Sequence, residues 1–377
     1  MFKSEFGKVV KSAFCAPSWA TNPHLQTIWP RYMVSKPKIT VANERIATPD
    51  KDFIDIAWSI PRNDGFQASF ADEKLNAKGV VVIFHGLEGS VNSHYAKHLI
   101  HKLSNDGYIV ALMHFRGCSH EQNLTARAYH SGETDDPKQV LELVKARYPL
   151  LPIFAVGYSL GGNMLLKLLS EVKNQQIIKA AVAVSAPLLL AECSLRMQLG
   201  FSRLYQHYLL ASMKNNLLEK MKKIDMKPLL SISKKEVKQL ASFRDFDQKI
   251  TAPLHGFESA DDYYAKSSAF NMLKNINTRT LILHAKDDPF MTEAVVPSSK
   301  DLSPSVAYEL SEKGGHVGFL YGSLWSPKLW LQQRISAFFS EQLRFAYAQM
   351  DDTACDNALQ LETASAKGQV TSERSRA

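Results

Sequence analysis

Cysteine is scarce in this chain. The 377 residues contain four cysteines, far apart and without a C-x-x-C pair. This spacing excludes a disulfide-stabilised scaffold and is typical of a reducing compartment. We therefore expect free thiols and a cytoplasmic protein. The four are Cys15, Cys118, Cys193 and Cys355.

Long hydrophobic runs are also missing. No stretch approaches the roughly 18 to 20 apolar residues of a membrane-spanning helix. Residues 1–11 mix Phe, Val and Lys without the continuous apolar core of a secretory signal. We expect neither a membrane span nor a secretory signal.

Motifs for nucleotides and metals are absent or incomplete. The chain has no Walker A loop and no G-x-G-x-x-G that opens a βαβ unit. His94, His98 and His101 share one helical face, but no Cys accompanies them, and a solvated face explains the spacing. His130 and Glu133 are three residues apart, yet the Ser-Gly pair between them disfavours the helix of a di-metal motif. We expect no metal and no organic cofactor.

Positive charge is in moderate excess. Lys and Arg number 45 against 37 Asp and Glu, which gives a net charge of +8. No basic stretch is interleaved with aromatic residues as in nucleic-acid modules, so we expect no nucleic-acid partner. With 45% hydrophobic and 22% charged residues, the composition predicts a globular protein with a large core, and it leaves the oligomeric state open.

Strand-like and helix-like segments alternate along most of the chain. Six apolar runs predict strands, and helical patterns separate them. Asp136-Pro137 starts one such helix, which ends near Tyr148-Pro149. The alternation predicts an α/β fold with a mostly parallel sheet. The six runs are Val80–Phe84, Ile109–Met113, Ile153–Val156, Ala180–Val184, Thr280–His284 and Val306–Leu310.

Residues 188–254 interrupt this alternation. No strand is evident there, and apolar residues at helical spacing, such as Met197, Phe201 and Tyr208, predict helices. We interpret the segment as a helical cap, or lid, over a site at the carboxyl edge of the sheet. Its second half, residues 214–238, is rich in lysine, which indicates a solvated helix face or weak peripheral membrane contact through the cap.

The predicted organisation has four parts. Residues 1–45 form an N-terminal arm, residues 46–187 and 255–345 an α/β core, residues 188–254 the cap, and residues 346–377 a disordered tail. The tail is predicted because the chain after residue 350 lacks aromatic residues, which leaves too little apolar surface to offset the entropy of ordering.

The most informative motif is Gly157-Tyr158-Ser159-Leu160-Gly161, which fits the G-x-S-x-G nucleophile elbow. An apolar strand leads into it and a helix-like segment follows. On such a turn the serine is held in a strained conformation, and the flanking glycines allow strand and helix to pack closely. Ser159 is therefore the candidate nucleophile.

A nucleophilic serine needs a base, and in proteins with this elbow the base follows the acid along the chain. His316 lies in the glycine-rich loop 314–318, after the last predicted strand. His207 lies in the predicted cap and His284 inside a strand, so neither has the loop position of a base. His316 is the candidate base, and the position of His255 leaves its role open.

Two carboxylates follow the predicted strand Thr280–His284, in Asp287-Asp288-Pro289. We favour Asp288 as the acid that orients the base, because the acid of such a site usually precedes a turn, and Pro289 fixes a turn here. Asp287 remains an alternative by the same geometry, and a capping role is open to either.

Two backbone N–H groups are the candidate donors to an oxyanion. One belongs to Leu160, which follows the candidate nucleophile, and the other to Leu87, in the loop His85–Ser90 after a strand. His85 precedes the nucleophile at a strand end, so we interpret it as a brace for this loop.

A set of short sequence blocks between about residue 22 and about residue 339 forms a more specific pattern than the elbow alone. Their combination resembles the YheT-like branch of the α/β-hydrolase family, which is related to α/β-hydrolase-domain esterases and acylglycerol lipases. The blocks are Asn22–Thr27, Thr48–Asp50, Phe53–Asp55, His85–Ser90, Phe115–Cys118, Tyr129–Thr134, Gly157–Asn163, Thr251–Phe257, Asp287–Phe290 and Gly315–His316.

The resemblance implies an α/β-hydrolase fold, with a doubly wound, mostly parallel sheet and a helical cap insertion. It implies that Ser159, Asp288 and His316 take the places of the family's charge-relay residues. The implied activity is carboxylic ester hydrolysis, as a carboxylesterase or acylglycerol lipase, on a small-molecule ester or acylglycerol and without a cofactor. One departure is His120, which stands where a small residue is expected and affects the local loop, not the chemistry.

Two alternatives remain. The same triad supports other acyl transfers, such as transacylation or thioester cleavage. A non-catalytic protein that binds lipids or a partner has no need of a complete triad, which argues against that alternative.

Overall fold

Nine strands form one mostly parallel sheet. The computed structural model describes residues 4–60, 77–171 and 177–345, so the predicted disordered tail lies outside the described residues. The strands are β1 (Lys8–Lys11), β2 (Ala42–Ala47), β3 (Phe53–Ser59), β4 (Val80–Phe84), β5 (Ile109–Met113), β6 (Ile153–Tyr158), β7 (Ile178–Val184), β8 (Arg279–Ala285) and β9 (Val306–Ser311). Their order is β1-β9-β8-β7-β6-β4-β5-β3-β2, and the pairs β2–β3 and β3–β5 are antiparallel.

All six predicted strands are present, and the predicted α/β class is confirmed. β4 and β5 have the predicted bounds and are buried at every position, as expected for strands covered on both faces. The sequence missed β1, β2, β3 and a small hairpin of β10 (Leu320–Ser323) and β11 (Ser326–Leu329). β1 and β2 are half-exposed edge strands, whose polar residues hide the apolar pattern.

Helices cover both faces of the sheet. Alternate residues of β4 point to opposite sides, so Val82 packs in one apolar cluster and Val81 in another. The first cluster includes α3 (Asp135–Arg147) and α4 (Leu160–Glu171), and the second includes α2 (His94–Asn105) and α11, which is helical over residues 330–345. Within the described residues, no helix is both long and apolar enough to cross a membrane.

The long connection between β7 and β8 is helical. Its 22-residue helix α6 packs against the helices that follow, and they bury an apolar cluster of their own that includes Leu210, Leu217 and Val237. The helices are α5 (Leu190–Arg196), α6 (Ser202–Lys223), α7 (Lys234–Gln239), α8 (Phe243–Phe246), a π-helical turn (Asp247–Thr251), α9 (Ala252–Leu254) and α10 (Ala260–Ser267).

The N-terminal region adds an edge strand and a supporting helix. β1 pairs in parallel with β9. Helix α1 (Pro23–Tyr32) begins after Asn22, whose side chain accepts hydrogen bonds from the N–H groups of His24 and Leu25. The buried Gln26 accepts a hydrogen bond of 2.6 Å from the Leu320 N–H. These contacts place α1 beside the loop between β9 and β10.

Candidate active site

Ser159 lies between the end of β6 and the start of α4. Its φ of 51° is in the left-handed region, which costs a non-glycine residue roughly 1–2 kcal/mol. Two hydrogen bonds hold this conformation: the Ser159 N–H donates to the Val184 carbonyl at 2.8 Å, and the Gly162 N–H donates to the Ser159 carbonyl at 2.9 Å. The serine therefore projects from a tight strand-to-helix turn.

The two glycines of the elbow are required by close packing. A Cβ at Gly157 would lie 2.7 Å from the Gly162 Cα, and a Cβ at Gly161 would lie 2.6 Å from the Phe84 carbonyl oxygen. Both distances are shorter than Cβ contacts in folded proteins, and backbone atoms cannot move aside easily. These positions let α4 lie directly against β6 and the end of β4.

The structure brings Ser159, His316 and Asp288 into one hydrogen-bonded relay. His316 Nε2 is 2.9 Å from Ser159 Oγ, and His316 Nδ1 is 2.8 Å from Asp288 Oδ2. The Asp288 side chain is fully buried and the His316 ring is 9% exposed. An Nδ1–H that donates to the carboxylate leaves Nε2 free to accept the serine proton.

The two neighbouring carboxylates have different contacts. Asp288 contacts the His316 ring and also accepts the Phe290 N–H at 2.9 Å. Asp287 instead accepts the Gly315 N–H at 3.0 Å, and burial raises the pKa of its carboxyl group. The structure therefore brings Asp288 to the histidine, while Asp287 braces the loop that carries it.

Three residues that sequence reasoning missed support His316. Its N–H donates to the Thr27 hydroxyl at 2.9 Å, and the N–H of Val317 donates to the Ser185 hydroxyl at 3.1 Å. The Phe290 ring stacks on the imidazole with centroids 3.9 Å apart. Thr27 and Phe290 fall in blocks that carried the family resemblance, but only long-range contacts reveal what they touch.

The loop after β4 offers one unoccupied backbone donor. The N–H of Gly86 donates to the Tyr95 hydroxyl at 2.8 Å, and the N–H of Glu88 donates to the Tyr129 hydroxyl at 2.9 Å. The N–H of Gly89 donates to a carbonyl within the loop. Across the described ranges, the N–H of Leu87 donates to no other residue.

The Leu160 N–H is likewise without an acceptor among the described residues, as expected for the first residue of a helix. Leu87 and Leu160 both line a cavity together with Ser159. Two free N–H groups beside a serine hydroxyl are able to stabilise negative charge on a substrate oxygen.

His85 is fully buried beneath this loop. Its Nδ1–H donates to the Gly86 carbonyl at 2.7 Å, and its Nε2 accepts the Phe115 N–H at 3.1 Å. Burial lowers the pKa of His85 to about 3. A neutral histidine with both ring nitrogens occupied braces the loop and does not act as a base.

The other histidines after Ser159 do not reach it. His284 is buried in β8, and burial lowers its pKa to about 4. His255 packs against the His130 ring at 4.5 Å, and burial lowers its pKa to about 2. His207 is exposed on α6. Within the part of the chain that the structure describes, no group of three or more His, Cys, Asp or Glu side chains is arranged to hold a metal ion.

A cavity of about 200 Å³ opens in front of Ser159 and His316, between the sheet edge and the helical connection. Its walls are mostly apolar, and the apolar side chains include Leu190, Met197, Leu209, Met213, Leu217, Phe243, Phe246, Ile250, Leu254 and Met291. The lining also includes ionisable side chains, among them Glu88, Arg116, Lys220 and Asp247.

Known proteins resemble this chain in sequence. A family model described as "alpha/beta hydrolase fold" matches residues 79–323. The chain is 45% identical to the proposed esterase YheT of Escherichia coli over 323 residues. This match covers 86% of this chain and 92% of that protein. It is 27% identical to the phospholipase ABHD3 of Mus musculus, over 91% of this chain and 81% of that protein.

A solved structure shares the fold. The esterase Pf2001 of Pyrococcus furiosus superposes with a TM-score of 0.50 at 16% sequence identity, over 88% of this chain and 99% of that one. At this level of identity the likeness concerns the fold alone.

Proposed function

The chain belongs to the YheT-like branch of the α/β-hydrolase family, whose relatives are esterase- and lipase-type hydrolases, and we propose that it is a serine carboxylic ester hydrolase. The observation that carries the proposal is the relay from the Ser159 hydroxyl through His316 to the buried Asp288. Such a relay activates a serine that is otherwise a weak nucleophile.

Acylation begins with proton transfer to His316. Nε2 takes the hydroxyl proton as Ser159 Oγ attacks the ester carbonyl carbon, and Asp288 stabilises the imidazolium that forms. The tetrahedral intermediate then collapses. The bond to the alcohol oxygen breaks, His316 returns the proton to that oxygen, and the alcohol leaves an acyl group on Ser159.

The Leu87 and Leu160 N–H groups receive the oxyanion of this intermediate. Donors already in place require no reorganisation as the charge develops, and loss of one such donor typically costs about 2.7–4 kcal/mol of transition-state stabilisation. The hydrogen bonds at Gly86 and Glu88 keep the loop in this arrangement.

Deacylation repeats the sequence with water. His316 takes a proton from the water, the hydroxide attacks the acyl carbonyl, and the proton returns to Ser159 Oγ as the carboxylic acid leaves. This chemistry requires no metal and no organic cofactor. The mostly apolar cavity favours an acyl chain as the part of the substrate that it binds.

The test of this function is active-site labelling combined with turnover. We expect a fluorophosphonate probe to modify Ser159 in the folded protein, and p-nitrophenyl esters of graded chain length to be hydrolysed. Ser159→Ala should abolish both, with a loss of activity on the order of 10⁶-fold. Ester turnover that survives in Ser159→Ala would overturn the proposal.

Weak peripheral membrane contact through the cap stays a prediction. Several lysines of residues 214–238 are exposed, among them Lys222, Lys227 and Lys234. Cosedimentation with anionic vesicles at low and high salt distinguishes membrane contact from a solvated face.

A further inference from the structure

Lys220 is an unusual residue on the wall of the catalytic cavity. It lies near the end of α6, its residue surface is only 5% exposed, and it lines the same cavity as Ser159. Lysine is almost never buried to this degree without an ionic partner. An apolar residue would fill the position at lower cost if packing were its only task.

The ammonium group of Lys220 lacks an ionic partner within the described residues. Its one hydrogen bond is to the Arg127 carbonyl at 2.9 Å, and no described carboxylate forms a salt bridge with it. Asp52 acts on it at longer range, but that carboxylate already accepts hydrogen bonds from Arg116, Asn123 and Thr125. An ammonium group has three donors, so two remain for another acceptor. Burial lowers the pKa of Lys220 to about 8, so the group is still mostly protonated at neutral pH.

One acidic residue of the cavity wall, Glu88, already has hydrogen-bond partners of its own. Glu88 accepts hydrogen bonds from the hydroxyls of Tyr129 and Ser212, at 2.8 and 2.7 Å, and from the Asn216 amide. Burial raises the pKa of Glu88. Glu88 is therefore engaged by three other side chains and forms no salt bridge with Lys220 within the described residues.

Helix α6 relates Lys220 to the reacting centre. Ser212, Asn216 and Lys220 follow one another at intervals of four residues and share one helix face. The first two contact Glu88, which adjoins Leu87 in the candidate oxyanion loop. Lys220 lies eight residues beyond Ser212, or about 12 Å along the helix axis. Because Lys220 and Ser159 line the same cavity, one substrate molecule is able to contact both.

We propose that Lys220 binds an anionic group of the substrate, so that the preferred esters carry a carboxylate or a phosphate remote from the scissile carbonyl. This proposal rests on the proposed ester hydrolase function. An anion at Lys220 accepts hydrogen bonds from the two unused N–H groups and pairs with an ammonium group that has no salt bridge within the described residues. A neutral ester of the same length leaves the two N–H donors and the ammonium charge without a partner.

The experiment compares matched neutral and anionic esters on the purified full-length protein. The first arm uses p-nitrophenyl monoesters of dicarboxylic acids of graded length, each against the methyl-capped diester. The second arm uses a monoacyl glycerol phosphate against the monoacylglycerol with the same acyl chain, and it distinguishes a phosphate on the alcohol side from a carboxylate on the acyl side. The readout is the ratio of kcat/KM for the anionic and the neutral member.

We expect the wild-type ratio to exceed about 10 in at least one arm, with an optimum length in the acyl series. Lys220→Met should lower this ratio about 10- to 100-fold, whereas Lys220→Arg should retain most of it. Because each ratio is taken within one variant, a general loss of folding or reactivity cancels. Lys222→Met is the matched control, since Lys222 is exposed on the same helix.

Two results would overturn the proposal. One is a wild-type ratio near 1 in both arms, a result that does not depend on whether any variant folds. The other is an unchanged ratio in Lys220→Met. Both differ from failure of the proposed function, in which neither the neutral nor the anionic esters are hydrolysed and Ser159 is not labelled.

Discussion

At the residue scale, hydrogen bonds to other residues engage most of the polar groups around the candidate site and leave only a few free. The candidate oxyanion loop has several N–H groups, but hydrogen bonds to Tyr95 and Tyr129 engage those of Gly86 and Glu88. Leu87 remains. In the same way, Asp287 is engaged with the Gly315 N–H, which leaves Asp288 for His316. The hydrogen bonds of their neighbours thus distinguish Leu87 and Asp288 as the candidate groups.

The contrast between the two carboxylates is testable by matched substitutions. Asp288→Asn should lower kcat about 10⁴-fold, because the amide cannot hold the useful tautomer of His316. Asp287→Asn preserves a side-chain oxygen for the Gly315 N–H, so kcat should change less than about tenfold. Steady-state kinetics on one p-nitrophenyl ester measures both. Equal losses in the two variants would contradict the assignment of Asp288.

At the element scale, helix α6 is connected to the candidate oxyanion loop. Ser212 and Asn216 both donate to Glu88, and the φ of Glu88 is 54°, a conformation that needs support. The helix therefore influences the position of the Leu87 N–H through one half-buried carboxyl group. Movement of the helix relative to the sheet would disturb this donor.

Loss of this connection should appear in kcat. We predict that Asn216→Ala lowers kcat about 10- to 100-fold with a smaller change in KM, because a displaced donor affects the transition state more than substrate binding. Asn215→Ala is the control, since Asn215 is exposed on the same helix. A change confined to KM or to thermal stability would indicate a packing role only.

A second half-buried carboxyl group joins the π-helical turn to α10. Asp247 accepts hydrogen bonds from the hydroxyls of Thr251, at 2.7 Å, and Tyr264, at 2.8 Å. Burial raises the pKa of Asp247 to about 6. An acid whose pKa is higher in the folded state stabilises that state at low pH, and the contribution is lost as pH rises from about 4 to about 6.

Asp247→Asn should remove this pH dependence. We expect the free energy of unfolding of the variant, relative to the wild type, to rise by about 2 kcal/mol between pH 4 and pH 7, because Asn does not ionise. Urea unfolding of both proteins at several pH values measures this difference. The contributions of the other titrating groups are shared by the two proteins and cancel. A difference that is independent of pH would contradict the raised pKa.

At the scale of the whole molecule, the first and last parts of the described chain support each other. β1 pairs with β9, and the Ser12 hydroxyl donates to Glu309 at 2.8 Å. Glu309 also pairs with Arg334 of α11 at 2.8 Å. The Phe14 ring packs 5.1 Å from the Phe319 ring, beside the loop that holds the candidate base.

Truncations at the two termini should therefore differ. Deletion of residues 1–21 removes β1 and the buried Phe14, and we expect it to lower the free energy of unfolding by about 5 kcal/mol or more. Deletion of residues 351–377, which lie within the predicted disordered tail, should change neither the melting temperature nor kcat/KM by a measurable amount. Thermal unfolding and ester kinetics on both proteins check this, and a marked loss on removing the tail would refute its prediction.

The sequence by itself determined the features that depend on neighbouring residues. The continuous apolar runs of β4 and β5 predicted buried strands with correct bounds, because both faces are covered. The elbow around Ser159 was recognisable because a strained strand-to-helix turn requires glycine at fixed positions. The resemblance across many blocks supplied the family.

Only the tertiary structure decided the contacts between distant segments. Thr27 is 289 positions from His316 in the chain, yet its hydroxyl accepts the N–H of that residue. Spacing along the chain does not distinguish Asp288 from Asp287. The structure distinguishes them, because Asp288 contacts the imidazole of His316 and Asp287 accepts the Gly315 N–H. Lys220 belongs to a lysine-rich stretch that resembles a solvated face, and its burial follows from packing against the Arg127 loop. Residue type and spacing determine the local turn, whereas burial and hydrogen-bond partners arise from segments that the chain brings together only on folding.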